Sequence, residues 1–183
     1  GIRALVVTGV QTCALPISLL QLAKDYSIVV NGGYQIKTKL IKNNSNEKKE
    51  KILSQDLSRE ILPILRKIVS TKDGTASLAN VNGYEIGGKT GTAEKSADGE
   101  YSNKKINSFV SVFPTSKPKF VLAVMLDEPK INENYIYHYR DGSNIKYKGT
   151  PFNTAGWTTV EATGQIVEKI GPILATKYSE FNF

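Results

Sequence analysis

Gly87-Gly88-Lys89-Thr90-Gly91-Thr92-Ala93-Glu94 gathers a cation, two hydroxyls and side-chain-free backbone at the end of an apolar run. A lysine flanked by threonines offers strong donors to a carboxylate, and exposed backbone N–H groups can face an oxyanion. Other chemically capable residues are sparse. His138 is the only histidine and has no Gly-x-Ser-x-Gly elbow or His-rich cluster with it, so neither a hydrolase triad nor a zinc site is expected, and it reads as a surface-loop residue. Cys13 is the only cysteine, which excludes an intrachain disulfide and a cysteine-built metal site. Asp127 and Glu128 are adjacent, and neighbours on a strand point to opposite faces, so they read as the start of a turn at Pro129 rather than as an acid–base pair.

The same glycines admit a second reading. Gly83-Tyr84-Glu85-Ile86-Gly87-Gly88-Lys89-Thr90 matches the P-loop expression, and Phe120–Glu128 looks like the apolar strand that ends in a magnesium-holding acid. A P-loop needs a strand before its first glycine and a helix starting at Lys-Thr, so that N–H groups cradle phosphate. Here the alternation lies inside the supposed loop, at Tyr84 and Ile86, and Gly91 follows Lys89-Thr90 directly. Lys95-Ser96-Ala97-Asp98-Gly99 reads as a turn, not a helix. A P-loop NTPase is therefore the minor alternative.

The elements that position these residues follow from periodicity. Leu19, Leu22, Ala23, Tyr26, Val29 and Val30 recur at helical spacing and stop at Asn31-Gly32-Gly33. Tyr34–Ile41 predicts a short strand and 42–51 an exposed polar loop. Ser54 is placed to cap a helix with apolar positions Leu57, Ile61, Leu62, Leu65, Ile68 and Val69, kinked at Pro63 and ended by Lys72-Asp73-Gly74. Strands are predicted over Tyr84–Glu94, Ile106–Phe113 and Phe120–Leu126, antiparallel because their connections are short. A long irregular segment bearing Tyr135, Tyr137, Tyr139 and Tyr147 precedes a last helix from about Thr158 to Ile170, and these tyrosines and Trp157 read as packing residues. The result is a layered α+β domain. The 183 residues suit one core, and the +7 net charge is spread over loops and helix faces without the arginine–aromatic interleaving of a nucleic-acid surface. No apolar run reaches the length of a membrane span.

Beyond these patterns, Leu20-Gln21-Leu22-Ala23, Asn31-Gly32-Gly33, Ile52-Leu53-Ser54, Gly74-Thr75-Ala76, Gly88–Glu94, Ser108-Phe109-Val110 and Val124–Pro129 occur in the order seen in class B penicillin-binding proteins. The chain resembles their transpeptidase domain over about residues 19–174, and Gly149–Trp157 followed by a helix is closest to the septal type. The resemblance implies a penicillin-binding protein/serine β-lactamase-like fold, an antiparallel sheet flanked by helices, of which this piece holds three strands and the C-terminal helix. It implies a peptidoglycan D,D-transpeptidase of the periplasmic face of the bacterial inner membrane. Its partners would be wall stem peptides, β-lactam antibiotics and divisome membrane proteins; nucleic acid, metal and cofactor are not implied. Lys89, Thr90, Gly91 and Thr92 would bind substrate, and the Thr92 backbone N–H would be half of the oxyanion hole. Gly91 would leave room for substrate to lie along the strand edge. A proline usual near the start of the last helix is missing around Glu161-Ala162.

The family's Ser-x-Asn motif occurs nowhere in the chain. Ser45–Lys48, Ser102–Lys105 and Ser143–Lys146 fit the nucleophile pattern Ser-x-x-Lys, but all lie in polar stretches where nothing desolvates the lysine, and they read as coincidences. The chain alone is expected to be inactive, and a non-catalytic wall- or partner-binding module is the other alternative. Val7–Ile17 resembles the in-frame translation of a sequencing adapter; residues 1–18 therefore read as foreign and 19–183 as the C-terminal part of the transpeptidase domain.

Overall fold

A computed structural model describes residues 17–39, 50–97, 100–149 and 152–178. Most of the foreign-looking first eighteen residues, Ser45–Lys48 and most of the 42–51 loop lie outside the described residues. Helix α1, Leu19–Val30, has the predicted bounds, and the Ser18 hydroxyl accepts from Gln21 N–H as its N-cap. Helix α2, Gln55–Ser70, is capped by Ser54, whose Oγ accepts from Leu57 N–H at 3.2 Å. Between them, Tyr34 makes only an isolated bridge to Lys51, so the described part of the predicted 34–41 strand is not one.

Three antiparallel strands follow: β1 (Gly87–Ala97), β2 (Glu100–Phe113) and β3 (Phe120–Asp127), in the spatial order β1-β2-β3. Strand β1 starts three residues later than predicted because Glu85 takes the left-handed φ of +44°, which breaks the extended run. At its other end it runs on through Lys95–Ala97, where a turn was expected, and meets β2 from Glu100 across a register shift between Glu94 and Ser96. A ladder asks only for backbone groups, so polar side chains did not stop it.

The sheet is covered on both faces. Asn107, Phe109 and Ser111 of β2 alternate with Val110 and Val112, and all five are buried. Val112 packs with Val30 of α1 and Leu65 of α2, which defines one face. Phe109 and Phe113 pack with Ile86, Val81, Leu78, Tyr137, Val160 and Val167 on the other. That second layer is α3 (Thr159–Lys177) with the 3₁₀ turns Ser77–Ala79 and Ala155–Trp157. Helix α3 begins where expected without the missing proline and extends past Ile170 through Pro172. The segment read as irregular contains a two-stranded ribbon, β4 (Ile136–His138) and β5 (Lys146–Lys148). Tyr137 from it stacks edge-on against Tyr135 and Trp157, and Tyr147 lies tilted against Trp157, so these aromatics are packing residues as predicted. His138 is exposed on β4.

Arg140, just after the ribbon's first strand, ties this layer together. Its guanidinium donates to both oxygens of Glu161 on α3 at 2.8 and 2.9 Å, to Glu168 at 3.1 Å, and to the carbonyls of His138 and Leu78 at 2.9 and 3.1 Å. The Arg140 and Glu161 side chains are each 6% exposed, and Tyr135 O–H and Gln165 Nε2 also donate to Glu161. Burial alone would lower the Arg140 pKa, but the hydrogen bonds and charge of Glu161 and Glu168 outweigh it and raise it above the ordinary value.

Candidate functional site

Strand β1 pairs with β2 and with no other described strand, which makes it an end strand of the sheet. Its period-two alternation sends Lys89 and Gly91 to the face of α1 and α2, and Thr90 and Thr92 to the face of α3. The glycines before Lys89 serve packing. A Cβ on Gly87 would stand 2.6 Å from Thr115 Cγ2 and 3.0 Å from the α2 backbone at Leu65 and Arg66; one on Gly88 would stand 2.5 Å from the Val110 carbonyl and 2.7 Å from the Phe109 ring. Lys89-Thr90 lies inside a strand, with no helix after it, so the phosphate-cradle reading fails on geometry. A Cβ on Gly91 would meet Ser108 Oγ at 2.7 Å.

Lys89 is exposed and donates to the Thr90 carbonyl at 2.8 Å. Among the described residues its ammonium has no carboxylate partner. Thr90 Oγ1 lies 3.3 Å from Thr75 Oγ1, and Thr92 Oγ1 accepts from the Ala155 N–H at 3.1 Å. Thr75 and Ala155 are the site's neighbours that residue-by-residue reading missed. Gly74-Thr75-Ala76 was noticed as a shared string, but a contact across 15 residues of chain has no local signature, and a backbone N–H has none at all.

Asp127 and Glu128 were expected to diverge. Instead both carboxylates reach Lys95 Nζ, at 2.6 and 2.9 Å, because Glu128 adopts φ +48° and leaves the strand's alternation. They are thus an anchor for β1 rather than an acid–base or magnesium pair. The nucleophile look-alikes gain nothing from the fold: Ser102–Lys105 runs along β2, where residues three apart are not neighbours as they are on a helix, and Ser143 caps a turn by accepting from Ile145 N–H at 3.4 Å.

Known proteins resemble the chain in both sequence and fold. The model of the family described as "Penicillin binding protein transpeptidase domain" matches residues 4–145. The probable peptidoglycan D,D-transpeptidase FtsI of Caulobacter vibrioides is 33% identical over 171 residues, covering 88% of this chain and 27% of that one. The stage V sporulation protein D of Bacillus subtilis is 40% identical over 93 residues, 50% of this chain and 14% of that one. Among solved structures, the apo transpeptidase domain of Burkholderia pseudomallei penicillin-binding protein 3 superposes with a TM-score of 0.66 at 27% identity, covering 86% of this chain and 43% of that one. Penicillin-binding protein 3 of Mycobacterium tuberculosis complexed with ampicillin shares the fold at a TM-score of 0.62 and 21% identity, over 85% of this chain and 35% of that one. The chain spans 27%, 20% and 30% of the length of three curated relatives it matches. With the family match running through both the sheet and the Lys89–Thr92 strand, the chain belongs to the penicillin-binding protein transpeptidase domain family.

Proposed function

We propose that Lys89, Thr90, Gly91 and Thr92 form the carboxylate- and oxyanion-binding side of a peptidoglycan D,D-transpeptidase site of the septal type, working at the periplasmic face of the inner membrane with divisome proteins as partners. The observation that carries this reading is an end strand presenting an exposed lysine without a carboxylate partner among the described residues, beside two threonine hydroxyls. A stem peptide would lie along the β1 edge as an added strand. Its terminal carboxylate would sit in the field of Lys89 with the Thr90 and Thr92 hydroxyls donating to it.

In the reaction, a serine oxygen bonds to the carbonyl of the penultimate D-Ala and the C–N bond to the terminal D-Ala breaks, releasing that residue as its amine. An acceptor amine then attacks the ester, forming the cross-link amide and freeing the serine. Thr92 N–H would stabilise the oxyanion in both steps, and losing one such donor typically costs on the order of a hundredfold in rate. No Ser-x-Asn exists in these 183 residues, and no Ser-x-x-Lys lies on a described helix, so this reading assigns the serine to none of the described residues. The test has two arms on the 183-residue chain. Acetyl-D-Ala-D-Ala should bind reversibly and weakly, and Lys89→Ala should abolish the binding; fluorescent penicillin should leave no covalent label. Binding indifferent to Lys89→Ala, or a stable penicillin adduct, would overturn the reading.

A further inference from the structure

Two arginines of α2 border a cavity that the strand chemistry does not use. Arg59 and Arg66 stand seven residues apart, two helical turns, and so share one side of the helix, with Leu62 and Pro63 between them on that side. All four line an open cavity of about 520 Å³, a size that suits a small ligand, and Glu85, Thr115 and Ser116 form its other wall. Arg66 is half-buried. Its Nη1 donates to the Ile86 carbonyl at 2.7 Å and to Asn80 Oδ1 at 3.0 Å, which fixes the guanidinium, while Nε and Nη2 have no partner among the described residues. No carboxylate among the described residues forms an ion pair with it. Burial therefore draws the Arg66 pKa below its ordinary value, with only the more distant charge of Glu85 acting against it. Glu85 is held as firmly. It takes the left-handed φ of +44°, its carbonyl accepts from Thr115 N–H at 3.0 Å, and its carboxylate accepts from Ser116 N–H at 3.2 Å. Arg59 is engaged only by Asp56, at 3.3 Å in an exposed pair.

We propose that this cavity binds a small zwitterion, a free dipeptide or amino acid with an apolar side chain. Its carboxylate sits on the open side of the Arg66 guanidinium and on Arg59, its ammonium on Glu85, and its side chain against Leu62 and Pro63. Arg66 and Glu85 are each fixed from behind, yet stand too far apart to pair with one another, so a ligand carrying both charges bridges them. A guanidinium offers a carboxylate two parallel N–H bonds, a geometry that favours it over a lysine for this task. The charge pattern disfavours simpler ligands: a bare anion brings a second negative charge beside Glu85, and a bare cation meets two arginines. None of Lys89–Thr92 lines the cavity, so the proposal is independent of the carboxylate-binding reading of that strand.

The test titrates the 183-residue chain with the dipeptide Ala-Leu, its N-acetyl form and its C-terminal amide. The reporter is the Ser116 amide resonance in NMR, because that N–H bonds the Glu85 carboxylate. Ala-Leu should shift it saturably, and each capped form should bind at least about tenfold more weakly, the loss expected for a hydrogen bond to a charged group. Arg59→Ala, an exposed substitution, should weaken Ala-Leu about twofold to fivefold. Glu85→Gln keeps an oxygen for Ser116 N–H but no charge, and should bring Ala-Leu level with its N-acetyl form while the C-terminal amide stays weaker. Lys89→Ala should leave all these affinities unchanged. Capped and free peptides binding alike, a shift that does not saturate, or a stronger response to inorganic phosphate than to Ala-Leu would each overturn the proposal. If Lys89→Ala abolishes the binding, the dipeptide sits on the strand, and this proposal falls while the carboxylate-binding reading stands.

Discussion

Replacing Arg140 by Met removes the cation from a pair whose two side chains are each 6% exposed. Stranding one member of a buried pair costs about 3–5 kcal/mol. Glu161 would keep two donors, Tyr135 O–H and Gln165 Nε2, both at 3.1 Å, which places the loss near the lower bound, about 3 kcal/mol. The Leu78 and His138 carbonyls also lose a donor, so the loss should not fall further. For a chain of this size that is a fall in Tm of about 6–12 °C. Urea denaturation followed by circular dichroism measures it directly. The double variant Arg140→Met/Glu161→Leu, which leaves no orphaned charge, should recover most of the loss. A single-variant loss below about 1 kcal/mol, the level of an exposed pair, would refute the buried-hub reasoning.

The Lys95 clamp predicts a pH window. Its hydrogen bonds to Asp127 and then Glu128 raise the Lys95 pKa, and Lys95 in turn lowers that of Glu128. The lowered carboxylate contributes stability above its unfolded value of about 4.3 that is lost as pH falls through the folded one, and the raised amine contributes below about 10.4 and loses it as pH rises through its folded value. The stability difference between wild type and Lys95→Met should therefore be flat from about pH 5 to 10, shrink outside it, and diminish in high salt, since Lys95 and Glu128 are 29% and 41% exposed. A difference that persists unchanged at pH 2.5 would argue against the clamp. Asn107, fully buried, donates to Thr158 Oγ1 at 2.8 Å while its Oδ1 has no partner among the described residues. Asn107→Leu should change stability by no more than about 1 kcal/mol in urea denaturation, since it removes an unsatisfied acceptor along with one hydrogen bond; a loss above 3 kcal/mol would mean that the acceptor is satisfied in solution.

What could be read beforehand was what periodicity or a short-range cap encodes. Leu19–Val30, the Ser54 cap and the three long strands all fell out of spacing. The errors have physical causes. The onset of β1 was hidden because nothing in the letters marks Glu85 as left-handed, and the β1–β2 ladder ran on through polar residues because its bonds are between backbones. Strands of three residues, Ile136–His138 and Lys146–Lys148, are too short for alternation to stand out. At the site, Lys89–Thr92 was legible as a string, whereas Thr75 and the Ala155 N–H join it only through tertiary approach. Gly87 and Gly88 admitted two readings, since a phosphate loop and a crowded strand both exclude side chains, and the alternation at Tyr84 and Ile86 with Gly91 after Lys89-Thr90 favoured the strand that the structure has.

Those two glycines also set the mechanical tolerance of the strand. Immediately upstream of Lys89, β1 is gripped from one side by the α2 backbone and from the other by Phe109 and Val110, with no side chain between to absorb a shift. A helix seated on bare backbone behaves as one body with it, so a displacement of α2 reaches Lys89 undamped. Any event that nudges α2 would thus retune where the Lys89 ammonium sits, and a methyl group added at position 87 or 88 would displace Lys89–Thr92 while leaving the chemistry of each of those residues unchanged.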